Sequence, residues 1–175
     1  YYYSMPDRPK GRGAEVSISV ACFVPKPFTP FQFVAQNTAE EFKAKQAYLL
    51  ECCANNRRIK VSYHDSDTSF LEAVFARGDR KVSAVIAKAY EKGCLFDSWS
   101  EYFHNELWME AFEECGVSID FYTTRVRGEE EIFPWDFISC GVDKAFLLRE
   151  WKKALGETVS ANCRQGCQGC GAMKY

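Results

Sequence analysis

A chain of 175 residues that is 47% hydrophobic, 15% aromatic and 26% charged has the makeup of an ordinary globular domain with its own core, which excludes a disordered or low-complexity polymer. A formal net charge of −2 supplies no global basic field of the sort that marks a nucleic-acid binder. No apolar run approaches 18 residues, and the opening Y-Y-Y-S-M-P-D-R has neither an h-region nor a cleavage site, so the expectation is a cytoplasmic protein without membrane insertion.

In chain order, residues 1–14 are polar, carry Pro6, Pro9, Gly11 and Gly13, and read as a lead-in arm without function. Residues 15–65 read as strand, helix, strand. Val16, Ile18 and Val20 alternate with Ser17, Ser19 and Ala21, which predicts a strand over Val16 to Cys22 with one apolar face and one face of small residues. Pro25, Pro27 and Pro30 then remove three backbone donors and hold the chain extended, the pattern of a stiff, unpaired, ligand-facing arm. Thr38 and Glu41 form a T-x-x-E capping box ahead of Phe42, Gln46, Leu49, Leu50 and Cys53 at helical spacing. Ile59, Val61 and Tyr63 alternate as a second strand. A strand, helix, strand unit of this length predicts a parallel pair with a right-handed crossover.

Residues 66–156 read as a helical extension. Asp67 or Thr68 is expected to cap a helix through Phe70, Leu71, Val74 and Phe75 that stops at Gly78. Asp79 is expected to cap another, with Val82, Val85, Ile86, Ala89 and Tyr90, that stops at Gly93. Leu107, Trp108, Ala111 and Phe112 run to Gly116, and Phe146, Leu147, Trp151, Ala154 and Leu155 run to Gly156. Aromatic-rich connections cover residues 96–103 and 132–138. In Arg77-Gly78-Asp79-Arg80 the charges suit the ends of two helix dipoles, with a phosphate contact from Arg77 or Arg80 as the sharper alternative.

Nine cysteines, three of them among the last thirteen residues, fit a reducing compartment with one cysteine-based metal site better than a disulfide scaffold. Residues 157–175 form a cysteine-rich tail in which Cys163, Cys167 and Cys170 stand at C-x₃-C-x₂-C spacing. Gly166 and Gly169 let the backbone turn tightly enough for three sulfurs to converge on one metal or cluster. The tail has few sizeable hydrophobes, Val159, Met173 and Tyr175, so metal is expected to organise it. For a fourth ligand Cys140, followed by Gly141, comes first, then Cys94 and His104; otherwise the position is open or filled from outside the chain. The other cysteines, Cys22, Cys52, Cys53, Cys94, Cys115 and Cys140, fit small buried hydrophobes. His64 and Asp65 follow the second strand, at the end where parallel α/β folds bind ligands, and suit proton transfer or substrate binding; Asp65 equally suits a loop or cap. Lys26, between two prolines, is an exposed cation that an anionic substrate would meet, or a solvated loop lysine.

Several separated motifs appear together in one order: S-x-A-C-F-V-P-K-P-F-T-P-F-Q, then T-A-E-E-F, then H-D-S-D-T-S-F-L-E-A-V-F-A-R-G-D-R. Over about Gly13 to Gly171 the chain resembles the C-terminal part of a radical S-adenosylmethionine (SAM) protein, of the group often fused to a cobalamin-binding-like domain and kin to the methylthiotransferases. The resemblance implies that the F-V-P-K-P strand is the last of a partial (β/α)₆ TIM-like barrel, and that Phe23 and Val24 border the SAM adenine. Read from the residues alone, that pair is simply apolar wall. The resemblance also implies that the catalytic 4Fe-4S cluster loop and the SAM motifs lie upstream in the same polypeptide, so this chain has no catalytic residue of its own. Tyr at position 1 fits a piece of something longer.

The tail spacing matches the radical SAM cluster motif, but in that family the loop follows the first barrel strand and carries an aromatic just before its last cysteine, where Gly169 stands here. A second iron–sulfur site or a structural zinc is the expectation for the tail. The rival to a radical SAM fragment is a non-catalytic interaction module with a zinc-knuckle tail, contacting RNA or a protein partner through its aromatic connections.

Overall fold

The computed structural model describes residues 2–8, 11 and 13–172; Pro9 of the lead-in and Met173 and Tyr175 of the tail lie outside the described residues. Its elements are β1 (Val16–Val20), α1 (Ala39–Cys53), β2 (Ile59–Tyr63), α2 (Ser66–Arg77), α3 (Val82–Glu91), α4 (Asn105–Glu114), α5 (Ile119–Tyr122) and α6 (Lys144–Leu155), with short 3₁₀ helices at Tyr2–Ser4 and Pro30–Phe33. The chain is mixed α/β, mostly helical, with a small parallel sheet. It divides into two units: residues up to Cys22 with Thr38–Ser66, and Phe23–Asn37 with the residues from Asp67 onward. Among the described residues no helix is long and apolar enough to cross a membrane.

In the first unit β1 and β2 pair in parallel, with Val16 opposite Ile59 and Val20 opposite Tyr63, as the strand, helix, strand pattern predicts. β1 stops at Val20 rather than Cys22. β2 ends at Tyr63, and the ladder's last bond runs from His64 N–H to the Val20 carbonyl (3.0 Å), so Ala21 and Cys22 have no partner strand to extend along. α1 packs on β2 and is started by the expected capping box: the Thr38 hydroxyl accepts from Glu41 N–H (3.2 Å), and the Glu41 carboxylate accepts from Thr38 N–H (2.9 Å). Thr38→Ala should therefore lower the stability of this unit by about 1 kcal/mol in urea titration, the usual worth of such a cap; an unchanged midpoint would show the cap to be idle. The sheet is thinly covered. Ile18, Val20, Ile59 and Val61 are only half-buried, Val16 and Tyr63 are 49% and 46% exposed, and Ser17, Ser19, Lys60 and Ser62 face water.

The second unit has two apolar clusters. One joins Leu71 and Val74 of α2, Val82, Val85 and Ala89 of α3, Trp108, Ala111 and Phe112 of α4, Tyr122 of α5, and Cys94. The other gathers Phe33, Phe133, Trp135 and Leu147, with Phe146 and Trp151 of α6 against it. α5 has four residues, too short for a hydrophobic period to show, and the sequence reading passes over it. α2 begins at Ser66, so Asp67 and Thr68 lie in its first turn instead of capping it. Asp79 likewise caps no helix: its carboxylate accepts from Lys81 N–H and from the Tyr122 hydroxyl (both 2.9 Å), and α3 starts at Val82. Of the four expected stop glycines, Gly93 and Gly116 take the left-handed φ values of 96° and 62°. Gly78 serves close packing instead, since a Cβ there would stand 2.6 Å from both the Val74 carbonyl oxygen and Val82 Cγ2.

The proline-rich segment is not the free arm that its prolines suggest. Pro30–Phe33 is helical, and Gln32, Phe33 and Gln36 are each 2% exposed. Lacking a strand partner, this backbone is satisfied by the helical unit around it. Arg77 Nη1 donates to the Val34 carbonyl (3.0 Å), Arg127 N–H to the Phe33 carbonyl (3.1 Å), and Gln36 N–H to the Thr123 carbonyl (2.9 Å). Gln32 Oε1 accepts from Phe28 N–H and from Trp135 Nε1.

These bonds build a seam of three guanidinium groups. Arg77 stands in the last turn of α2, as the dipole reading expects, but it is fully buried, which corrects the phosphate reading given to it. Arg127 is 4% exposed, stacks over Trp135 (5.2 Å) and Phe133 (5.6 Å), and donates to the Arg77 carbonyl. Burial, then repulsion from Arg127 and Arg125, brings the Arg77 guanidinium down to about 10. Glu131 is the counter-charge. It accepts two 2.8 Å bonds from Arg125 and one from Gly128 N–H, and the Arg125 pair above all holds its carboxyl down at about 2.

Candidate metal centre

The tail is laid back along α6. Glu157 turns the chain at φ 52°, and Thr158 N–H donates to the Lys153 carbonyl (2.9 Å). The Ser160 hydroxyl sits between Glu150 and Lys153. Arg149 Nη2 donates to the carbonyls of Gln168 (3.4 Å) and Gly169 (3.2 Å). Finally the Cys170 carbonyl accepts from Asp143 N–H (2.8 Å), just ahead of α6. Partners thus step from residues 150–153 through 149 to 143 while the tail advances from 158 to 170. Polar contacts, rather than apolar burial, order this run, and Val159 is 93% exposed. Metal is therefore not the sole organiser that the tail's composition suggests.

Within the run the cysteines sit on glycine turns. Gly166, Gly169 and Gly171 adopt φ values of 152°, 65° and 101°, a region costly for residues with a Cβ. The last turn aims an amide at sulfur, Gly169 N–H donating to Cys167 Sγ (3.4 Å). The Arg149 guanidinium lies beside the same turn, on the Gln168 and Gly169 carbonyls. Cys163 and Cys167 are exposed, Cys170 is half-buried, and all are free thiols. Among the described residues no three of His, Cys, Asp and Glu stand close enough together to hold a metal. The three cysteines are soft ligands with positive-φ glycines between them, the residues that would hold a thiophilic ion or cluster were the loop to bring the sulfurs together.

The remaining cysteines do not all behave as small core residues. Cys94 does: it is 7% exposed in the first apolar cluster, and burial pushes its thiol up. Cys22, Cys53 and Cys115 are half-buried, whereas Cys52 on α1 and Cys140 in the loop before α6 are exposed. His104 precedes α4 with Nδ1 3.2 Å from the Glu106 carboxylate.

The other candidate residues fall in different units. His64 and Asp65 are exposed at the end of β2, and the His64 carbonyl accepts from Gln46 Nε2 (3.4 Å) and weakly from Cys22 Sγ (3.7 Å). Lys26, in the second unit, is exposed, as read from its flanking prolines, and is ion-paired with Glu72 of α2. Phe23 is 50% exposed and meets Phe31 edge-on (5.6 Å between centroids), while Val24 is 8% exposed. The Arg77 and Glu131 seam was missed as a unit because Arg77 ends a helix while Arg125, Arg127 and Glu131 lie in the loop between α5 and α6, with no periodic pattern to join them. The only sequence hint was Arg77 falling in line with Phe70 and Val74 of α2.

No family model, no curated protein and no solved structure matches the chain.

Proposed function

We propose that the chain is the C-terminal part of a radical SAM iron–sulfur enzyme, contributing the end of its barrel and a cysteine tail that holds a second metal centre. The observation that carries this reading is the uncovered parallel sheet. Parallel sheets are ordinarily buried on both faces and built of several strands, yet β1 and β2 are a lone pair among the described residues, with no fully buried residue on either strand. A pair joined by α1 suits the last two strands of a larger parallel array whose other strands come from the upstream part of the same polypeptide. When bound, the upstream cluster and SAM supply reductive cleavage of SAM and a radical that acts on the substrate. In this chain Phe23 and Val24 would border the adenine, while His64, Asp65 and Lys26 are the candidates to face substrate, Lys26 only after parting from Glu72.

The test is 5′-deoxyadenosine release. Reduced and reconstituted with iron and sulfide, this chain alone should release none from SAM, whereas a polypeptide extended upstream should release it. Release from the chain alone would move the catalytic cluster to the tail, and failure of the extended polypeptide would sink the family reading.

The second reading is an interaction module with a zinc tail that binds RNA or a protein. Its support is the exposed aromatic group Phe96, Trp99 and Tyr102, with Phe96 held at φ 62° and both partner rings about it at 6.0 and 6.1 Å. Colour reports the tail metal: protein purified anaerobically is brown, with thiolate-to-iron absorption, if the tail carries iron–sulfur, which counts against the zinc module, and colourless if it carries zinc.

A further inference from the structure

We propose that Phe96, Trp99 and Tyr102 form a receptor for an arginine side chain of a partner polypeptide, with Asp97, Glu101 and Glu106 supplying the counter-charge. The proposal rests on the second reading above in its protein-binding form; it names the partner's chemistry and does not need metal in the tail.

Two consecutive turns build the aromatic group. Trp99 N–H donates to the Phe96 carbonyl and Tyr102 N–H to the Trp99 carbonyl, both at 3.0 Å. Turns closed across three residues bring side chains three apart to the same side of the chain, which gathers the rings. Phe96 meets Trp99 at 72° and Tyr102 at 59°, so neither ring is stacked flat on it, and all three residues are more than half exposed. Ring faces are therefore open to a ligand. Phe96 reaches its place at a φ of 62°, a left-handed backbone that is costly for a bulky residue. Burial does not offset that cost, because the ring stands largely in water.

The charge around the rings selects the ligand. From Gly93 to Thr124 the sequence has aspartates and glutamates but no lysine or arginine. Lys88 and Lys92, just before this stretch, are ion-paired with Glu91, Glu110 and Glu114. Asp97 and Glu101 alternate with the rings along the chain. No donor among the described residues reaches the buried Oδ1 of Asp97, and Glu101 is exposed. Burial, then the charges of Asp97 and Glu106, push the Cys94 thiol up, so both carboxylates lie near the start of this loop. A phosphate backbone would meet these carboxylates with no cation to hold it, which disfavours RNA. A guanidinium suits both features of the surface: it is planar and weakly hydrated, stacks on aromatic faces, and donates to carboxylates in pairs.

The test titrates the isotope-labelled chain, followed by NMR, with an acetylated and amidated peptide of alternating arginine and glycine. The lysine counterpart of that peptide and a uridine oligoribonucleotide are titrated beside it. The Trp99 indole N–H resonance, assigned by its absence from Trp99→Phe, should shift and saturate with the arginine peptide, while that of buried Trp108 stays in place. The lysine peptide should bind more weakly. Tyr102→Leu keeps apolar bulk at an exposed position, so the fold should hold, and it should weaken the arginine peptide by about two- to fivefold, the worth of one exposed cation–π contact. Phe137→Leu, at an exposed ring of another loop, should leave binding unchanged. A Trp99 resonance that the arginine peptide does not move, equal binding of the lysine peptide, or undiminished binding by Tyr102→Leu overturns the arginine receptor. If the oligoribonucleotide moves Trp99 and the arginine peptide does not, the proposal falls and the module reading survives with RNA as its partner. If neither moves it, the module reading falls as well.

Discussion

Cys167→Ser is expected to abolish stoichiometric metal and to leave residues 163–170 open to protease. Cys167 is central in the C-x₃-C-x₂-C run, and its sulfur is the one that already accepts a backbone amide, from Gly169. The polar contacts along α6 hold the tail only loosely: each is worth about 1 kcal/mol net, against roughly 1–2 kcal/mol to fix each backbone unit. Thiolate binding to a structural zinc supplies an apparent 10–16 kcal/mol in small peptides, about, and losing one ligand removes much of it. Cys115→Ser is the control. That thiol is half-buried at the end of α4 against the first apolar cluster, so the variant should keep its metal and lose only packing stability. Elemental analysis and limited proteolysis read both variants. Wild-type protein without iron or zinc after anaerobic purification, or a Cys167 variant with its full complement, would remove the site.

Glu131→Gln is expected to destabilise the second unit by about 3 kcal/mol at neutral pH, in the range for stripping the partner from buried charge. The amide keeps the shape but leaves Arg125, Arg127 and Arg77 without their carboxylate. The pH dependence gives the effect a signature. The folded carboxyl sits at about 2, below its ordinary 4.5, so its contribution is present above about pH 4.5 and is lost as pH falls toward 2. Wild-type protein should therefore lose stability across that window, and the glutamine variant should show a shallower acid limb. Urea titrations at several pH values measure both. Equal acid limbs, or a loss under about 1 kcal/mol at pH 7, would show that the seam is held by its stacking and carbonyl contacts alone.

The signals that sequence carries well are local. The Thr38 and Glu41 box, the alternation of Ile59 to Tyr63 and the parallel pairing across α1 were all legible, because each depends on neighbours in the chain or on crossover length. Positions decided by distant partners were not. Pro25, Pro27 and Pro30 read as a free arm because nothing nearby reveals that Arg77, Thr123, Arg127 and Trp135 will clasp the residues after them. The burial of Arg77 does not show in residue type, and Arg127, which ends under Phe133 and Trp135, carries no motif. Asp79 looked like a cap, but its acceptor is shared with a tyrosine 43 positions away. In the tail the spacing of the three cysteines was plain, whereas its route to the Cys140 loop depends on Arg149 and Asp143, which carry no motif.

The clasp on residues 32–36 also bears on the order of events during synthesis. Both strands and the crossover helix of the β1/β2 pair have emerged from the ribosome once Tyr63 has, but the segment between β1 and α1 belongs to the other unit. Gln32 must wait for Trp135, 103 residues later, before its bond can form. Until then Phe28, Phe31 and Phe33 stand uncovered beside a finished strand pair. A chain stalled in that interval presents an aromatic segment of the kind that chaperones bind, and its capture has to close a loop of 103 residues.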